Sequence, residues 1–172
     1  MTSEQESQLA SAVLMINPVR FESNPSTAAS NKFQGRNPDS SNKQQRDAAE
    51  EFVGLRVALE TSGIEVIQVD DTVEPHTPDA IFPNNWVSFH ADGTVVLYPM
   101  EAPNRRTERR PDIIETLVED HEFVVRKIVD LSTHETQAQY LEGTGSLVLD
   151  RVNRVAYACL SSRTHLDALG DF

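Results

Sequence analysis

Two short segments of the sequence carry polar side chains that could act on a small molecule. In the first, Asp79 precedes the turn Phe82-Pro83-Asn84-Asn85, so one carboxylate and two amides could face the same side of a small pocket. The alternative is ordinary turn chemistry, because Asp and Asn side chains often cap backbone groups in tight turns. Both interpretations place these residues in a loop that leads into a strand.

The second segment is Leu141 followed by Glu142 and the turn Gly143-Thr144-Gly145. A lone loop glutamate is commonly a solvated surface residue, which is the alternative to a functional one. The two glycines favour a functional role, since glycine lets the backbone approach another group closely. They are too few and wrongly spaced for a phosphate-binding loop, so a nucleotide site is not expected.

Arginines form a local basic cluster in an otherwise acidic chain: Arg105-Arg106, Arg109-Arg110 and, further along, Arg163. Surface salt bridges are one explanation, and they contribute little energy. The other is that a guanidinium holds a substrate carboxylate through two parallel hydrogen bonds. The sequence pattern leaves both explanations open.

Cys159 lies between Ala158 and Leu160 in a predicted strand. We expect a buried structural thiol rather than a nucleophile, because nothing nearby in the sequence would activate it. It is the sole cysteine, which excludes an internal disulfide and a cysteine-based metal cluster. The five histidines share no metal-ligand spacing, and none stands out as a base. No metal site is therefore expected.

The composition of the 172-residue chain limits its partners. A formal charge of -12 argues against nucleic acid and against anionic membranes, because both need a basic face. The longest apolar run, Ala12 to Ile16, is far too short to cross a bilayer, and the N-terminal segment lacks a secretory signal. We expect a cytoplasmic protein that acts on a small molecule.

Hydrophobic patterning predicts alternating strands and helices. Ala12–Ile16 is predicted to be a strand buried on both faces, and a mobile or functional loop follows from about residue 19 to residue 42. Helical spacing of apolar residues predicts a helix over Lys43–Ser62 that stops at Gly63. The remaining predicted elements are a strand Ile64–Val69, a hairpin of Trp86–Phe89 and Thr94–Tyr98, a helix from Pro111, a strand Phe123–Leu131, and a hairpin of Ser146–Leu149 and Val155–Leu160.

An internal repeat of helix, strand, polar loop and hairpin emerges when Arg106-Thr107 is aligned with Arg163-Thr164. The same offset places Asn85 opposite Glu142. A chance alignment is the alternative, since only one pair of copies is visible. Thr164 is predicted to be the N-cap of a further helix whose first turn is His165–Leu169. We therefore expect the chain to be cut within a repeat, with a natural C-terminal cap as the alternative.

Four motifs, taken in order, resemble those of the dimethylarginine dimethylaminohydrolases and arginine deiminases. These enzymes belong to the pentein superfamily, which modifies guanidino groups. The likeness is strongest to the citrulline-utilisation hydrolase group, broadly called amidinotransferases, and it covers nearly the whole chain from about residue 11. The motifs are Asp79–Asn85, Ala102–Arg106, Leu141–Gly145 and Cys159–Thr164.

The resemblance implies an α/β fold, a five-bladed αβ-propeller built from ββαβ units, of which this chain would hold about two to three. Residues 1–10, the polar and acidic start of the chain, are expected to be disordered. Residues 11–172 are expected to form an incomplete propeller domain, the N-terminal half of the family's enzyme. Self-association, or pairing with the missing C-terminal half, is expected to cover the exposed edge.

The family's reaction uses a cysteine nucleophile on the central carbon of a guanidinium or ureido group, and a histidine protonates the leaving group. By resemblance, Glu142 matches the acid that orients this histidine. Asp79 matches the carboxylate that binds the substrate's terminal nitrogens, and Arg105 and Arg163 match the arginines that hold the substrate carboxylate. The histidine and cysteine belong to the family's C-terminal half, so this chain alone is expected to be inactive. No metal or organic cofactor is implied.

One departure from the family pattern concerns the substrate. Deiminases that bind a cationic guanidinium usually carry Glu-Asp where this chain has Asn84-Asn85. Two carboxylates suit a buried cation, whereas two amides both donate and accept hydrogen bonds and therefore suit a neutral ureido group. The resulting hypothesis is hydrolysis of citrulline to ornithine, ammonia and carbon dioxide. The alternatives are deiminase or amidinotransferase chemistry on a guanidinium substrate, and a non-catalytic amino-acid-binding fragment.

Overall fold

The computed structural model describes residues 7–28, 31 and 40–172. The chain divides into two compact units, one covering Ala10–Pro83 and the other covering Asn84–Phe172 together with the segment before Ala10. Residues 1–6 of the predicted disordered N-terminus, and residues 29–30 and 32–39 of the predicted long loop, lie outside the described residues. The prediction of one incomplete propeller domain over residues 11–172 stays a prediction.

The first unit is a strand, a helix and a second strand. Strand β1 (Ala12–Asn17) pairs in parallel with strand β2 (Glu65–Asp70), and helix α1 (Ser41–Thr61) connects them. Parallel neighbours need such a crossover, which explains why the helix lies between them in the chain. The predicted helix and both predicted strands are confirmed with slightly shifted bounds.

Helix α1 ends before Gly63 as predicted, and it begins two residues before the predicted Lys43. The side chain of Ser40 accepts a hydrogen bond from the backbone N–H of Lys43 at 3.4 Å, and Gly63 follows the helix with a φ of 81°. Serine at the N-cap and a left-handed glycine after the last turn are the usual end signals.

Strand β1 is not buried on both faces within its unit, so that prediction is wrong. Ile16 is buried, but the other five residues of the strand are only partly buried. A cavity of about 440 Å³ opens beside the strand, lined mainly by apolar side chains that include Leu14, Phe52 and Phe82. A continuous apolar run does not reveal how much of each face the neighbouring elements cover.

The described residues of the second unit form five strands and three helices that position the candidate site. The strands are β3 (Val87–Phe89), β4 (Thr94–Leu97), β5 (Lys127–Asp130), β6 (Leu147–Asp150) and β7 (Val155–Ala158), and the helices are α2 (Pro111–Asp120), α3 (Gly143–Ser146) and α4 (Leu166–Asp171). Short 3-10 helices lie at Pro83–Asn85, Pro103–Glu108 and Ser132–Gln137.

These elements include one complete ββαβ unit. Strand β3 pairs antiparallel with β4, with Ser88 opposite Val96, and β4 pairs in parallel with β5 across helix α2. Strands β6 and β7 form a second antiparallel hairpin, after which α4 begins. The element order agrees with the predicted internal repeat, and the α/β class is confirmed. The number of propeller blades stays a prediction.

A small hydrophobic core anchors the loop that carries Glu142. Tyr98, Leu141 and Ala168 are completely buried in this cluster, together with Val96, Leu131 and Leu147. Burial of the Leu141 side chain in this core therefore fixes the backbone next to Glu142. Burying a leucine side chain stabilises a fold by roughly 1.5–3 kcal/mol, so the position of this loop is strongly constrained.

Two predicted boundaries in this unit need correction. The predicted strand Phe123–Leu131 is a strand only over β5, because residue 122 has a φ of 54° and the N–H of Phe123 turns back to the Leu117 carbonyl. The N-cap of α4 is His165 rather than Thr164, since the ring Nδ1 of His165 accepts the N–H of Asp167 at 3.2 Å. Thr164 is buried instead, and its backbone forms isolated antiparallel β-bridges with Leu141 and Ser161.

Cys159 is exposed, so the prediction of a buried thiol is wrong. It follows strand β7, whose Val155 and Tyr157 are 41% and 61% exposed. Among the described residues, β7 pairs with β6 alone, and its apolar side chains are therefore open to solvent. Apolar neighbours in sequence predict burial only when another element covers the strand.

No helix among the described residues is long and apolar enough to cross a membrane.

His134 links the 3-10 helix at Ser132–Gln137 to helix α4. Its Nε2 lies 2.8 Å from the Asp171 carboxylate, and its Nδ1 lies 2.7 Å from Oε1 of Gln139. The Gln139 amide is fixed in this orientation because its Nε2 donates to Asp167 at 2.7 Å. Both ring nitrogens of His134 therefore face acceptors. The hydrogen bond to Gln139, supported by Asp171, raises the pKa of His134.

We expect the pH dependence of unfolding to contain a His134 contribution. A histidine whose folded pKa is raised stabilises the fold below its unfolded pKa of about 6.5, and this stabilisation is lost as pH rises through the folded pKa. Urea unfolding between about pH 5.5 and pH 8.5 should show the wild type losing stability relative to His134→Gln as the pH rises. Parallel pH profiles for the two proteins would contradict the assignment.

Candidate functional site

Glu142 lies in the second unit at the start of a tight turn. Its backbone N–H faces Ser146 Oγ at 3.2 Å and the Arg163 carbonyl at 3.3 Å. In return, the N–H groups of Gly145 and Ser146 donate to the Glu142 carbonyl at 2.8 Å and 3.1 Å. The predicted Gly-Thr-Gly turn is therefore the short helix α3, and it holds the Glu142 backbone in one orientation.

The Glu142 carboxylate is buried and hydrogen-bonded, with its side chain 2% exposed. Oε1 accepts the backbone N–H of Glu101 at 3.1 Å, and Oε2 lies 3.3 Å from Arg163 and 3.8 Å from Arg105. Two guanidinium groups and a backbone amide compensate the desolvation of the carboxylate. Because an ionised carboxylate has about four acceptor positions, this arrangement is able to hold a further donor such as an imidazole N–H.

Arg105 forms a buried ion pair with Glu108. Its Nε and one terminal nitrogen each lie 2.9 Å from a Glu108 oxygen, and the two side chains are 4% and 1% exposed. The other terminal nitrogen faces Glu142. A substrate carboxylate would have to share this guanidinium with two glutamates. The predicted substrate-binding role of Arg105 stays a prediction, and the observed contacts are those of a structural pair.

Arg163 is the more accessible of the two predicted arginines, with 21% of its side chain exposed. It contacts Glu142 and lies 3.8 Å from the carboxylate of Glu101, which also accepts the hydroxyl of Ser162 at 3.2 Å. The structure thus brings Arg105, Arg163 and Glu142 into one cluster. Of these, Arg163 has the exposure that contact with a ligand requires.

The Asn84-Asn85 turn lies directly against the turn that follows Glu142. Asn84 Nδ2 donates to the hydroxyl of Thr144 at 2.9 Å. A Cβ built on Gly143 would collide with the Asn84 carbonyl oxygen, and a Cβ built on Gly145 would collide with the Asn85 amide. The close approach of the Asn84-Asn85 turn therefore explains why positions 143 and 145 are glycines. The Asn84-Asn85 turn and the turn after Glu142, which the sequence singled out separately, are therefore neighbours in the second unit.

Asp79 belongs to the first unit, where it has its own polar partners. Its Oδ2 accepts the side-chain amide of Asn24 at 2.6 Å and lies 3.4 Å from the Thr27 hydroxyl. Asn24 and Thr27 are 1% and 4% exposed. Asp79 itself is partly buried.

Sequence reasoning missed several residues that contact the predicted site residues: Glu101, Glu108, Ser146, Asn24 and Thr27. The Arg105–Glu108 pair had a local signal, because the two residues are three apart and Pro103 opens a helical turn before them. The Asn24–Asp79 contact joins residues 55 positions apart and has no local signature.

Residues 17–172 match the family described as eukaryotic N,N-dimethylarginine dimethylhydrolases. No curated protein gives a significant sequence match to the chain. Among the described residues, no group of three His, Cys, Asp or Glu side chains could hold a metal ion.

Solved structures with a similar fold come from ArgZ, an arginine dihydrolase of the cyanobacterial ornithine-ammonia cycle. The apo protein matches with a TM-score of 0.63 and 20% identity over 91% of this chain and 21% of its own. Its N-terminal domain, as a cysteine-to-serine mutant bound to substrate, matches with a TM-score of 0.62 and 21% identity over 91% of this chain and 51% of its own. The product-bound N-terminal domain gives the same values. The chain thus spans about half of that domain.

The fold and the sequence match together define a mixed α/β protein of the guanidino-group-modifying superfamily. Within it, this chain belongs to the N,N-dimethylarginine dimethylhydrolase family.

We expect the buried Arg105–Glu108 pair to be strongly coupled. Either Arg105→Met or Glu108→Met should destabilise the fold by about 3–5 kcal/mol, because each leaves a buried charge without its main partner. The double variant should lose much less free energy of unfolding than the sum of the two single losses. Urea unfolding of the four proteins measures the coupling energy. The exposed pair Lys43–Asp47 serves as a control, whose removal should cost less than about 1 kcal/mol. Additive costs at Arg105 and Glu108 would contradict this account.

Gly143→Ala should destabilise the second unit by about 2–4 kcal/mol. The residue has a φ of 39°, and the added Cβ would strike the Asn84 backbone. Gly54→Ala in the interior of α1 is the matched control, since a Cβ there meets nothing within 4 Å. That change should stabilise the protein by roughly 0.5–1 kcal/mol. Equal effects of the two substitutions in thermal unfolding would overturn the close-approach explanation.

Proposed function

We propose that this chain supplies one part of a cysteine-dependent hydrolase that acts on the ureido or guanidino group of an amino acid. The observation that carries the proposal is the buried Glu142 carboxylate, held by Arg163, Arg105 and the Glu101 amide. A carboxylate fixed in this way is suited to orient an imidazole. Membership of the N,N-dimethylarginine dimethylhydrolase family supports the same chemistry.

In the proposed mechanism, a cysteine thiolate attacks the central carbon of the substrate group. A histidine protonates the departing nitrogen and then helps water to hydrolyse the covalent intermediate. Glu142 accepts a hydrogen bond from this histidine and fixes its tautomer and direction. We assign the cysteine and the histidine to polypeptide outside residues 1–172, so the chain alone is proposed to be inactive. Cys159 is not assigned a role.

The proposed substrate is citrulline, which reacts with water to give ornithine, ammonia and carbon dioxide. The amides of Asn84 and Asn85 support a neutral ureido group, because each amide both donates and accepts hydrogen bonds. Arginine is the second candidate, since the structurally similar ArgZ is an arginine dihydrolase. Asp79 suits either substrate, because both present N–H donors. Arg163 is the proposed contact for the substrate carboxylate.

Location and assembly belong to the same proposal. We also propose a cytoplasmic location, which the acidic composition of the chain supports. Self-association, or pairing with a further part of the enzyme, is supported by the exposed apolar side chains of Val148 and Tyr157 on the β6–β7 hairpin.

The test compares turnover by the 172-residue chain with turnover by a chimera, in which residues 17–172 replace the matching part of an active family hydrolase. We expect no ammonia release from the chain alone with citrulline, arginine or dimethylarginine, and release from the chimera with citrulline. In the chimera, Glu142→Gln should lower kcat about 10²–10⁴-fold, the usual contribution of acid–base catalysis.

Glu119→Gln, an exposed change on α2, is the matched control and should leave kcat unchanged. Turnover by the chain alone would place the nucleophile within it, and Cys159→Ser would then decide whether it is Cys159. A fully active Glu142→Gln chimera would remove the proposed role of Glu142.

A further inference from the structure

Asn24 is a nearly fully buried polar residue in a segment that is neither helix nor strand. Its side chain is engaged at both ends: Oδ1 accepts the backbone N–H of Ser26 at 3.0 Å, and Nδ2 lies 2.6 Å from Oδ2 of Asp79. Because a backbone N–H can only donate, it identifies the oxygen end of the amide. The nitrogen end therefore faces Asp79, and the contact is an N–H donated to a carboxylate.

The turn that follows Asn24 is folded toward the same carboxylate. Thr27 donates its backbone N–H to the Asn24 carbonyl at 3.3 Å. Its hydroxyl lies 3.3 Å from that carbonyl and 3.4 Å from Oδ2 of Asp79, so its single proton can be donated to either oxygen. Two buried side chains from one turn thus converge on one oxygen of Asp79.

The backbone around Asp79 is fixed independently. The N–H of Ala80 donates to the Thr77 carbonyl, and the N–H of Phe82 donates to the Asp79 carbonyl, both at 3.0 Å. The Thr77 hydroxyl lies 2.9 Å from both carboxylate oxygens of Asp71, immediately after β2. With the backbone of Asp79 held in this way, the contact with Asn24 acts directly on the direction of the carboxylate.

We propose that Asn24 is a positioning residue for Asp79. Its amide directs the Asp79 carboxylate so that this group accepts hydrogen bonds from the nitrogen atoms of a ureido or guanidino ligand. The inference rests on the proposed function, in which Asp79 binds those nitrogens. It assigns a function to the turn at residues 24–27, part of the segment that sequence analysis described as mobile or functional.

The test is the affinity of the 172-residue chain for L-citrulline and L-arginine, measured by calorimetry between pH 5 and pH 8. Asn24→Ala should weaken binding about 10- to 100-fold, as expected for loss of a hydrogen bond to a charged group. Asn24→Asp replaces a donor with a second carboxylate, and the two carboxylates repel unless they share a proton. Its affinity should therefore be lowest at pH 8 and recover toward pH 5, while the wild-type profile stays flat.

Asn17→Asp is the matched control within the same unit. Asn17 Nδ2 donates to the Asp70 carboxylate at 2.8 Å, so this substitution creates the same repulsion at the ends of β1 and β2. It should leave ligand affinity unchanged at every pH. Thermal unfolding of each variant at each pH separates lost binding from lost folding, because protonation at pH 5 would also relieve a repulsion that unfolds the protein at pH 8.

The outcomes distinguish the two proposals. Wild-type binding that is weakened by Asn24→Asp but not by Asn17→Asp, with recovery at low pH, supports the positioning role. Wild-type binding that both variants retain, or lose to the same extent, overturns the role of Asn24 and leaves the proposed function standing. A wild-type chain that binds neither amino acid overturns the assignment of Asp79 as a ligand contact, and the inference with it.

Discussion

The burial of the Glu142 carboxylate is the constraint around which the second unit is organised. A carboxylate removed from water must be paired, and here a backbone amide and two guanidinium groups satisfy it. Arg105 needs Glu108 in turn, because a buried guanidinium without a close carboxylate partner would cost several kcal/mol. The result is a chain of paired charges in which each residue limits the conformation of the next.

The hydrophobic core and the glycine turn keep that cluster in place. Leu141 is completely buried directly before Glu142, while Gly143 has a left-handed φ of 39° directly after it. Leu141 fixes the loop through packing, and Gly143 permits the sharp change of backbone direction. Close approach of the Asn84-Asn85 turn restricts the same loop further. A loop restricted in this way fits the role proposed for Glu142.

Asp79 in the first unit lies beside neutral donors. The side-chain amide of Asn24 donates to its Oδ2, and the Thr27 hydroxyl lies 3.4 Å from the same atom. The two carboxylates singled out by sequence are therefore contacted by different groups, and the roles proposed for them also differ.

The sequence by itself determined the order of the strands and of helices α1, α2 and α4, the hairpin at β3–β4, the stop of α1 at Gly63 and the family. These features depend on residues close together in the chain, such as Gly63 after the last turn of a helix. Only the tertiary structure decided that Arg105 pairs with Glu108 and Glu142, that Asn24 holds Asp79, and that Cys159 is exposed. Contacts across tens of residues, and the cover over each strand, arise when elements pack together, and no local periodicity encodes them.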